Sequence, residues 1–248
     1  MANVIKDEKV SIQPNELFND RWKLYQKILS NNYMEHREIY DILQKFLNKY
    51  FQNPFSLLEL GCGDASFTVK ALANTNVAAY QGIDLSENAL LIAQANMVST
   101  PYTKKFLQGD ISQRVSELVK TQGKSFDAVL TSFAFHHLSL EQKDVAMGKI
   151  FNLLNPGGTF IIIDMIRMEQ ESQQEYIQRY LNNVRQSWQN LTSQEVEMVA
   201  SHICGEDLPE TQTTLSSVAK NHGFTSWKCL YGDSQGLSKI LYFEKKSS

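Results

Sequence analysis

The stretch LLELGCGDASFTVKAL, residues 57–72, decides how this chain is read. A short apolar run, Leu57–Leu60, reads as a buried strand, and residues 65–73 read as a helix. Between them stand Gly61, Gly63 and the small Ala65. A turn built this way lets a backbone come very close to a ligand. A P-loop would need Lys and Ser/Thr after its last glycine, to hold phosphates and a metal. Phe67, Thr68 and Val69 follow here instead. The G-x-G-x-x-G dinucleotide fingerprint is not met beyond Gly61 and Gly63. Glu59, at the end of the strand, would repel a pyrophosphate but suits an amine.

Working outward, strand and helix alternate. Leu24, Ile28, Ile39, Leu43, Phe46 and Leu47 recur at helical spacing and predict helices over 15–50, after a loose tail. AAYQGID, KKFLQGDI, FDAVLTS and TFIIIDMI predict four more strands, with helices between them; Ser86 is the expected cap of one. Such alternation predicts an α/β fold with a doubly wound, mostly parallel sheet. Past Ile166 the alternation stops, and a helical insertion is expected after strand five, as a cap at about 169–210. A helix over TTLSSVAKNHGF follows, ending at Gly223. SWKCLYG and LSKILYFEKK then predict two strands joined by a short connection, hence antiparallel. The expectation is seven strands with the last antiparallel, a helical N-terminal lid at 1–50 and the α/β domain at 51–248.

The strand ends carry the polar residues. Asp84 ends strand two, placed to accept both hydrogens of a ribose diol. Asp110, after QG, is suited to an adenine amino group. Gly61 and Gly63 leave room for an amino-acid group beside free backbone N–H at a helix start. A ligand with an amino acid, a ribose and an adenine but no phosphate is S-adenosylmethionine. The stretches ELGCGDAS, GIDLS, QGDI, FDAVLTSFAFHHL and LNPGGTFIIID, in this order over about 55–166, resemble the class I S-adenosylmethionine-dependent methyltransferases of small-molecule type, which have a seven-stranded Rossmann-like sheet. Ala65 stands where that family often has glycine.

The resemblance implies roles. Glu59, Gly61 and Gly63 would line the methionine end, with Cys62 supplying backbone. Asp84 would hold the ribose and Leu85 would pack on the adenine. Asp110 and Ile111 would frame the base, and Ser132 and Phe133 would border the sulfonium. Two alternatives stay open: Asp110 as a turn-forming Asx residue and Cys62 as a small buried filler.

Methyl transfer needs donor and nucleophile in line, and a base only when the nucleophile arrives protonated. His137, beyond strand four, and His36, on the N-terminal helix, are the catalytic candidates; either can instead be structural. Tyr25, Tyr33, His136, Arg167 and His202 are candidates for binding the acceptor. Trp22, Phe135, Met165, Tyr176 and Trp188 would join them in an enclosed pocket, or be ordinary core of the cap. SFAFHH follows strand four in place of N/D-P-P-Y/F, which speaks against amino methyltransferases of DNA bases and protein glutamine. The leading reading is methyl transfer to oxygen or nitrogen of a small organic acceptor. A tRNA or protein methyltransferase, and a non-catalytic S-adenosylmethionine-binding module, remain alternatives.

Composition sets the outer bounds. The chain has 248 residues, a net charge of -3 and 21% charged residues. That balance argues against a broad nucleic-acid footprint. No stretch reads as a membrane span, and charges near the start oppose a signal peptide. Three widely spaced cysteines fit a reducing cytosol, so a cytoplasmic monomer or homodimer is expected. No CxxC or HExxH spacing occurs, and no metal site is expected.

Overall fold

A computed structural model describes residues 14–247, with side chains from Trp22 onward. The tail expected ahead of residue 15 lies outside these residues. The main sheet runs in the order β3 (Thr103–Gln108), β2 (Val77–Asp84), β1 (Phe55–Leu60), β4 (Phe126–Ser132), β5 (Leu154–Arg167), β8 (Ser238–Glu244), β7 (Ser226–Gly232). The first five are mutually parallel, and β8 runs antiparallel to both of its neighbours. The expected seven strands are therefore present. A two-residue β6 (Glu210–Thr211) adds itself to the end of β5, too short to leave a pattern in sequence.

Strand β5 explains why the sheet lies at the centre. Phe160 and Ile162 point to one face, where they meet Leu58, Val129 and Leu241. Ile161 and Ile163 point to the other, with Leu57, Leu130 and Ile240. Side chains alternate along a strand, so a run that is apolar at every position must be covered on both faces. Helices α5 (Ile111–Thr121), α6 (Leu140–Leu153) and α9 (Gln212–Asn221) cover the first face through Val115, Met147 and Leu215. Helices α2 (His36–Tyr50), α3 (Ser66–Leu72) and α4 (Glu87–Asn96) cover the second. Helix starts follow the capping chemistry: Ser86 accepts from the Ala89 N–H, and Ser139 with Gln142 forms a capping box on α6.

A third cluster stands over the carboxyl ends of the strands. Leu24 and Ile28 of α1 (Pro14–Ser30) pack there with Tyr180 and Val184 of α7 (Gln173–Ser187) and with Val199 and Ile203 of α8 (Ser193–Glu206). Like α6, α7 and α8 begin with capping boxes, Ser172–Glu175 and Thr192–Glu195.

The N-terminal helices divide between two tasks, which corrects the expectation of one lid over 1–50. Only α1 belongs to the cap. Helix α2 is a layer of the core: Ile39, Leu43 and Leu47 are 0% exposed against the sheet. Its apolar residues recur on one face, and that stripe matches the open face beside β1. His36 opens this helix and is itself buried, packed 4.7 Å from Phe133 and 5.2 Å from Phe67 between ring centroids. Burial pulls its pKa from 6.5 to about 4, so the folded protein holds it neutral.

Two outcomes follow for α2. Leu43→Ala is expected to destabilise the protein by about 2–5 kcal/mol in urea denaturation, as a fully buried leucine does and a loose lid does not. His36 titrates at a lower pH folded than unfolded, so the unfolded chain takes up the proton first as pH falls. Its contribution is intact above about pH 6.5 and is lost between there and about pH 4, by up to roughly 3 kcal/mol. His36→Phe should remove that loss, so the variant gains on wild type across this window. A stability difference that stays flat from pH 7 to 4 would contradict the burial.

Candidate functional site

The turn after β1 is built from left-handed residues. Gly61, Gly63 and Ala65 have φ of 73°, 52° and 53°. A Cβ on Gly61 would come 2.5 Å from the Ala134 Cβ, so only glycine fits. Beside Gly63 nothing lies within 4 Å, so this glycine borders open space. Ala65 adopts the same region with a Cβ, at a cost of roughly 1–2 kcal/mol. Several of the backbone donors expected to be free here are already engaged. Gly61 and Cys62 donate to the Ile83 carbonyl at 2.8 and 2.9 Å. Gly63 donates to Asp84 Oδ2 at 2.8 Å, and Ser66 to Asp64 Oδ1 at 3.0 Å. Asp84 Oδ1 accepts from the Ser86 N–H at 2.8 Å. One carboxylate thus fastens the glycine turn to the exit of β2.

Glu59 lies beneath the turn and is 1% exposed. It accepts the Thr68 hydroxyl at 2.7 Å and the Tyr80 phenol at 2.6 Å. Burial outweighs these bonds and pushes its carboxyl up to about 7. Burial also pushes the Cys62 thiol well up, so Cys62 is filler rather than a nucleophile. Asp110 accepts from the Gln113 N–H at 3.0 Å and caps α5, the Asx role left open above. Leu85 is largely exposed at the rim, and Ile111 is half-buried at the start of α5.

Two hollows meet at this edge. The smaller, about 40 Å³, is lined by Glu59, Gly61, Gly63, His36, Tyr40 and Ser132, with the Tyr40 phenol donating to Ser132 Oγ at 2.8 Å. Helix α1 roofs it: Tyr25 and Leu29 form part of its wall, and Gln26 Nε2 donates to Asp64 Oδ2 at 3.0 Å. Lys27 ties the same helix to α8 through both oxygens of Glu195, at 2.9 and 2.7 Å. The larger hollow encloses about 450 Å³ between the ends of β4 and β5 and helices α1, α7 and α8. Leu24, Phe133, Met165, Trp188 and Val199 give it apolar walls. Tyr25 lines both hollows, and the neighbours Ser132 and Phe133 face one each.

The large cavity is polar at one end, where His136, His137, His202 and Asp207 converge. His136, on a short 3-10 turn after β4, directs Nδ1 at the Asp164 carboxylate and Nε2 at Asp207 Oδ1, 3.5 Å away. Burial alone would lower its pKa, but Asp164 and Asp207 outweigh that and raise it. His137 sits with Nδ1 3.3 Å from the Glu206 carbonyl. Burial and the neighbouring His136 charge lower its pKa to about 4, leaving it neutral. His202 places Nδ1 3.2 Å from Glu206 Oε2 and Nε2 3.7 Å from Asp207 Oδ1.

The residues singled out from sequence do not all meet in one hollow. His36 joins the glycine turn's recess and is absent from the acceptor-side cavity, which separates it from His137. Tyr33 stacks on Trp188 at 5.0 Å, and its hydroxyl accepts from the Asn190 N–H, so it braces the cap. Arg167 is consumed by the Pro209 and Glu171 carbonyls and by Glu210. Tyr176 and Phe135 are core residues, and Trp22 packs on Tyr25. Sequence reasoning missed Asp164, Asp207 and Tyr40. Asp164 carried a signal, a lone carboxylate inside an apolar strand. Asp207 carried little, because two of its three histidine neighbours, His136 and His137, are remote in the chain.

Comparisons with known proteins agree with this architecture. A methyltransferase-domain family model matches residues 57–158. An uncharacterized methyltransferase of Bacillus mycoides is 30% identical over 162 residues, covering 64% of this chain and 70% of that protein. Among solved structures, an O-methyltransferase family protein from Burkholderia thailandensis superposes with a TM-score of 0.64 at 14% identity, over 96% of this chain and 64% of that one. The cyclopropane synthase MmaA2 from Mycobacterium tuberculosis gives 0.57 at 16% identity, over 84% and 82%. With the strand order, the glycine turn and Asp84 in place, the chain belongs to the class I S-adenosylmethionine-dependent methyltransferases.

Proposed function

We propose that this protein transfers the methyl group of S-adenosylmethionine to an oxygen or nitrogen of a small, largely apolar organic acceptor. The observation that carries this reading is the junction of the two hollows at Tyr25 and the 132–133 peptide. A donor lying along the glycine turn and an acceptor in the larger cavity would meet there.

The residues present fit the cofactor. Both ring nitrogens of buried His36 are without partners and line the recess, where the charged amino-acid end would lie. Open space beside Gly63 admits that group without moving backbone. Asp84 keeps unused lone pairs on both oxygens after binding two amides, so it can also accept from ribose hydroxyls. Bound S-adenosylmethionine supplies an activated methyl group and its own leaving group. The chain's task is then to align, enclose and, for a protonated acceptor, to remove a proton. At 40 Å³ the recess is smaller than ligand sites commonly are, so α1 must shift to admit a nucleoside. The Gln26–Asp64 and Lys27–Glu195 contacts would re-form over it and exclude water.

The acceptor side follows the same logic. A cavity of about 450 Å³ with apolar walls suits a small organic molecule and argues against a binding module whose acceptor space is filled by side chains. Trp188 offers a buried indole N–H with no partner, suited to an acceptor oxygen. His137 is neutral and lines the cavity, so it can take a proton from an acceptor hydroxyl or amine. His136, paired through Nδ1 with Asp164, turns Nε2 toward the polar end of the cavity.

Calorimetric titration should show S-adenosylmethionine and its demethylated product binding one site, with NAD far weaker. Tighter binding of NAD than of either would overturn the assignment. Asp84→Ala should weaken the cofactor by about tenfold or more, since charge-assisted hydrogen bonds contribute roughly 1.5–3 kcal/mol. A folded Asp84→Ala protein that binds like wild type would remove Asp84 from the site. Transfer of radiolabelled methyl to a panel of phenols, acids and amines tests the acceptor class, and labelling of only tRNA or protein would refute it.

A further inference from the structure

We propose that His136, His137, His202 and Asp207 form a binding site for one divalent first-row transition-metal ion, zinc fitting best, at the polar end of the 450 Å³ cavity. Their ligand-type atoms all lie within 4.8 Å of one another. The centre of the group is Asp207 Oδ1, which has His136 Nε2 at 3.5 Å, His137 Nδ1 at 3.8 Å and His202 Nε2 at 3.7 Å. Bonds of about 2.0–2.2 Å around a tetrahedral ion put neighbouring ligands roughly 3.3–3.6 Å apart, so the contacts to Asp207 are near that spacing already and side-chain rotations of about an ångström bring the histidine nitrogens in.

A second observation points to a ligand. Asp207 is 3% exposed, and its Oδ1 has no hydrogen-bond partner. A buried carboxylate oxygen left bare is costly, and an ion between it and three imidazoles removes that cost. The surroundings are also those of a held site. His136 Nδ1 is paired with Asp164 and His202 Nδ1 faces Glu206, which aims each Nε2 inward. Carboxylates behind ligating histidines fix the tautomer and the ring in this way. Asp207 is anchored through backbone: the Leu208 N–H donates to the His136 carbonyl at 2.8 Å, and Gln173 Nε2 to the Asp207 carbonyl at 3.0 Å. Lys143 Nζ bonds the Leu138 and Leu208 carbonyls and so joins the two ligand-bearing segments.

Three imidazoles with one carboxylate select zinc or its transition-metal neighbours over magnesium or calcium, which prefer all-oxygen shells. For ligation His137 must exchange its Nδ1 contact with the Glu206 carbonyl for the ion. An ion here borders the space proposed for the acceptor. If the methyl-transfer reading holds, the acceptor's oxygen or nitrogen would join the four protein ligands as a fifth, which would ease its deprotonation, with His137 a ligand rather than the base.

The test is metal binding without cofactor or acceptor. Purified full-length protein is stripped with chelator and titrated with Zn²⁺ by calorimetry, and Co²⁺ is followed by its visible d–d bands. One equivalent is expected to bind, with a tetrahedral Co²⁺ spectrum. His202→Ala and Asp207→Asn should each weaken binding by about 100-fold or more, and Asp164→Asn by roughly 10–100-fold, the effect of an outer partner. His202 is partly exposed on α8, so its variant is expected to fold, and circular dichroism checks this. His222→Ala, remote and paired with Asp144, should bind as wild type does. Asp84→Ala should keep full metal binding while losing cofactor, which separates this proposal from the functional one. Absence of a saturable site in wild type, or equal binding by folded His202→Ala and Asp207→Asn, would overturn the proposal.

Discussion

Strand order reverses beside β1, and most of this molecule's chemistry depends on that reversal. From β1 the chain proceeds outward to β2 and β3, then crosses to β4 and β5 on the other side. Right-handed crossovers then send neighbouring connections to opposite faces, and a crevice opens at the carboxyl ends of β1 and β4. The glycine turn occupies one lip of that crevice, and the Ser132–His137 segment the other. Gly61 is the point of closest approach, since a single Cβ there would strike Ala134 across the gap. Asp84 then locks the turn to β2 through the Gly63 amide. The Gly61, Cys62, Gly63 and Ser66 amides are spent internally, and the side chains lining the recess include His36 and the Tyr40–Ser132 pair.

The polar end of the large cavity is organised differently. Its charges are buried, and burial is expensive unless each charge is paired. Asp164 and His136 pair directly, and Lys143 is held by carbonyls. Asp207 Oδ1 faces three imidazoles within 3.8 Å yet makes no hydrogen bond. Apolar residues of the same volume would serve stability at least as well, so this concentration of titratable groups speaks for chemistry rather than for folding.

Helices α1 and α2 are adjacent in sequence yet belong to different parts of the molecule. The α2 stripe is sealed against the sheet, while α1 is held over the recess by polar ties, Gln26 to Asp64 and Lys27 to Glu195. Exposed or half-exposed ties of this kind contribute little compared with buried leucines. Helix α1 is therefore the more weakly held wall of the recess and α2 the firmly packed one. Among the described residues no helix is long and apolar enough to cross a membrane.

The α/β alternation, the seven-stranded sheet, the helical insertion and the glycine turn were legible in sequence, because strand and helix periodicities and the Gly61–Gly63 spacing are local properties. So was Asp84, which sits at a strand end by counting alone. Tertiary structure decided the rest. Whether α2 was lid or core depended on which surface its stripe would meet, and that surface is assembled from β1, β4 and β5. Tyr33 and Arg167 looked available because their partners, Asn190, Trp188 and Glu210, lie 43 or more positions from them in the chain. Asp207 joins His136 and His137 only once α8 docks on the sheet's edge. No spacing rule reveals a site whose donors come from two segments some 65 residues apart and are brought together only by packing.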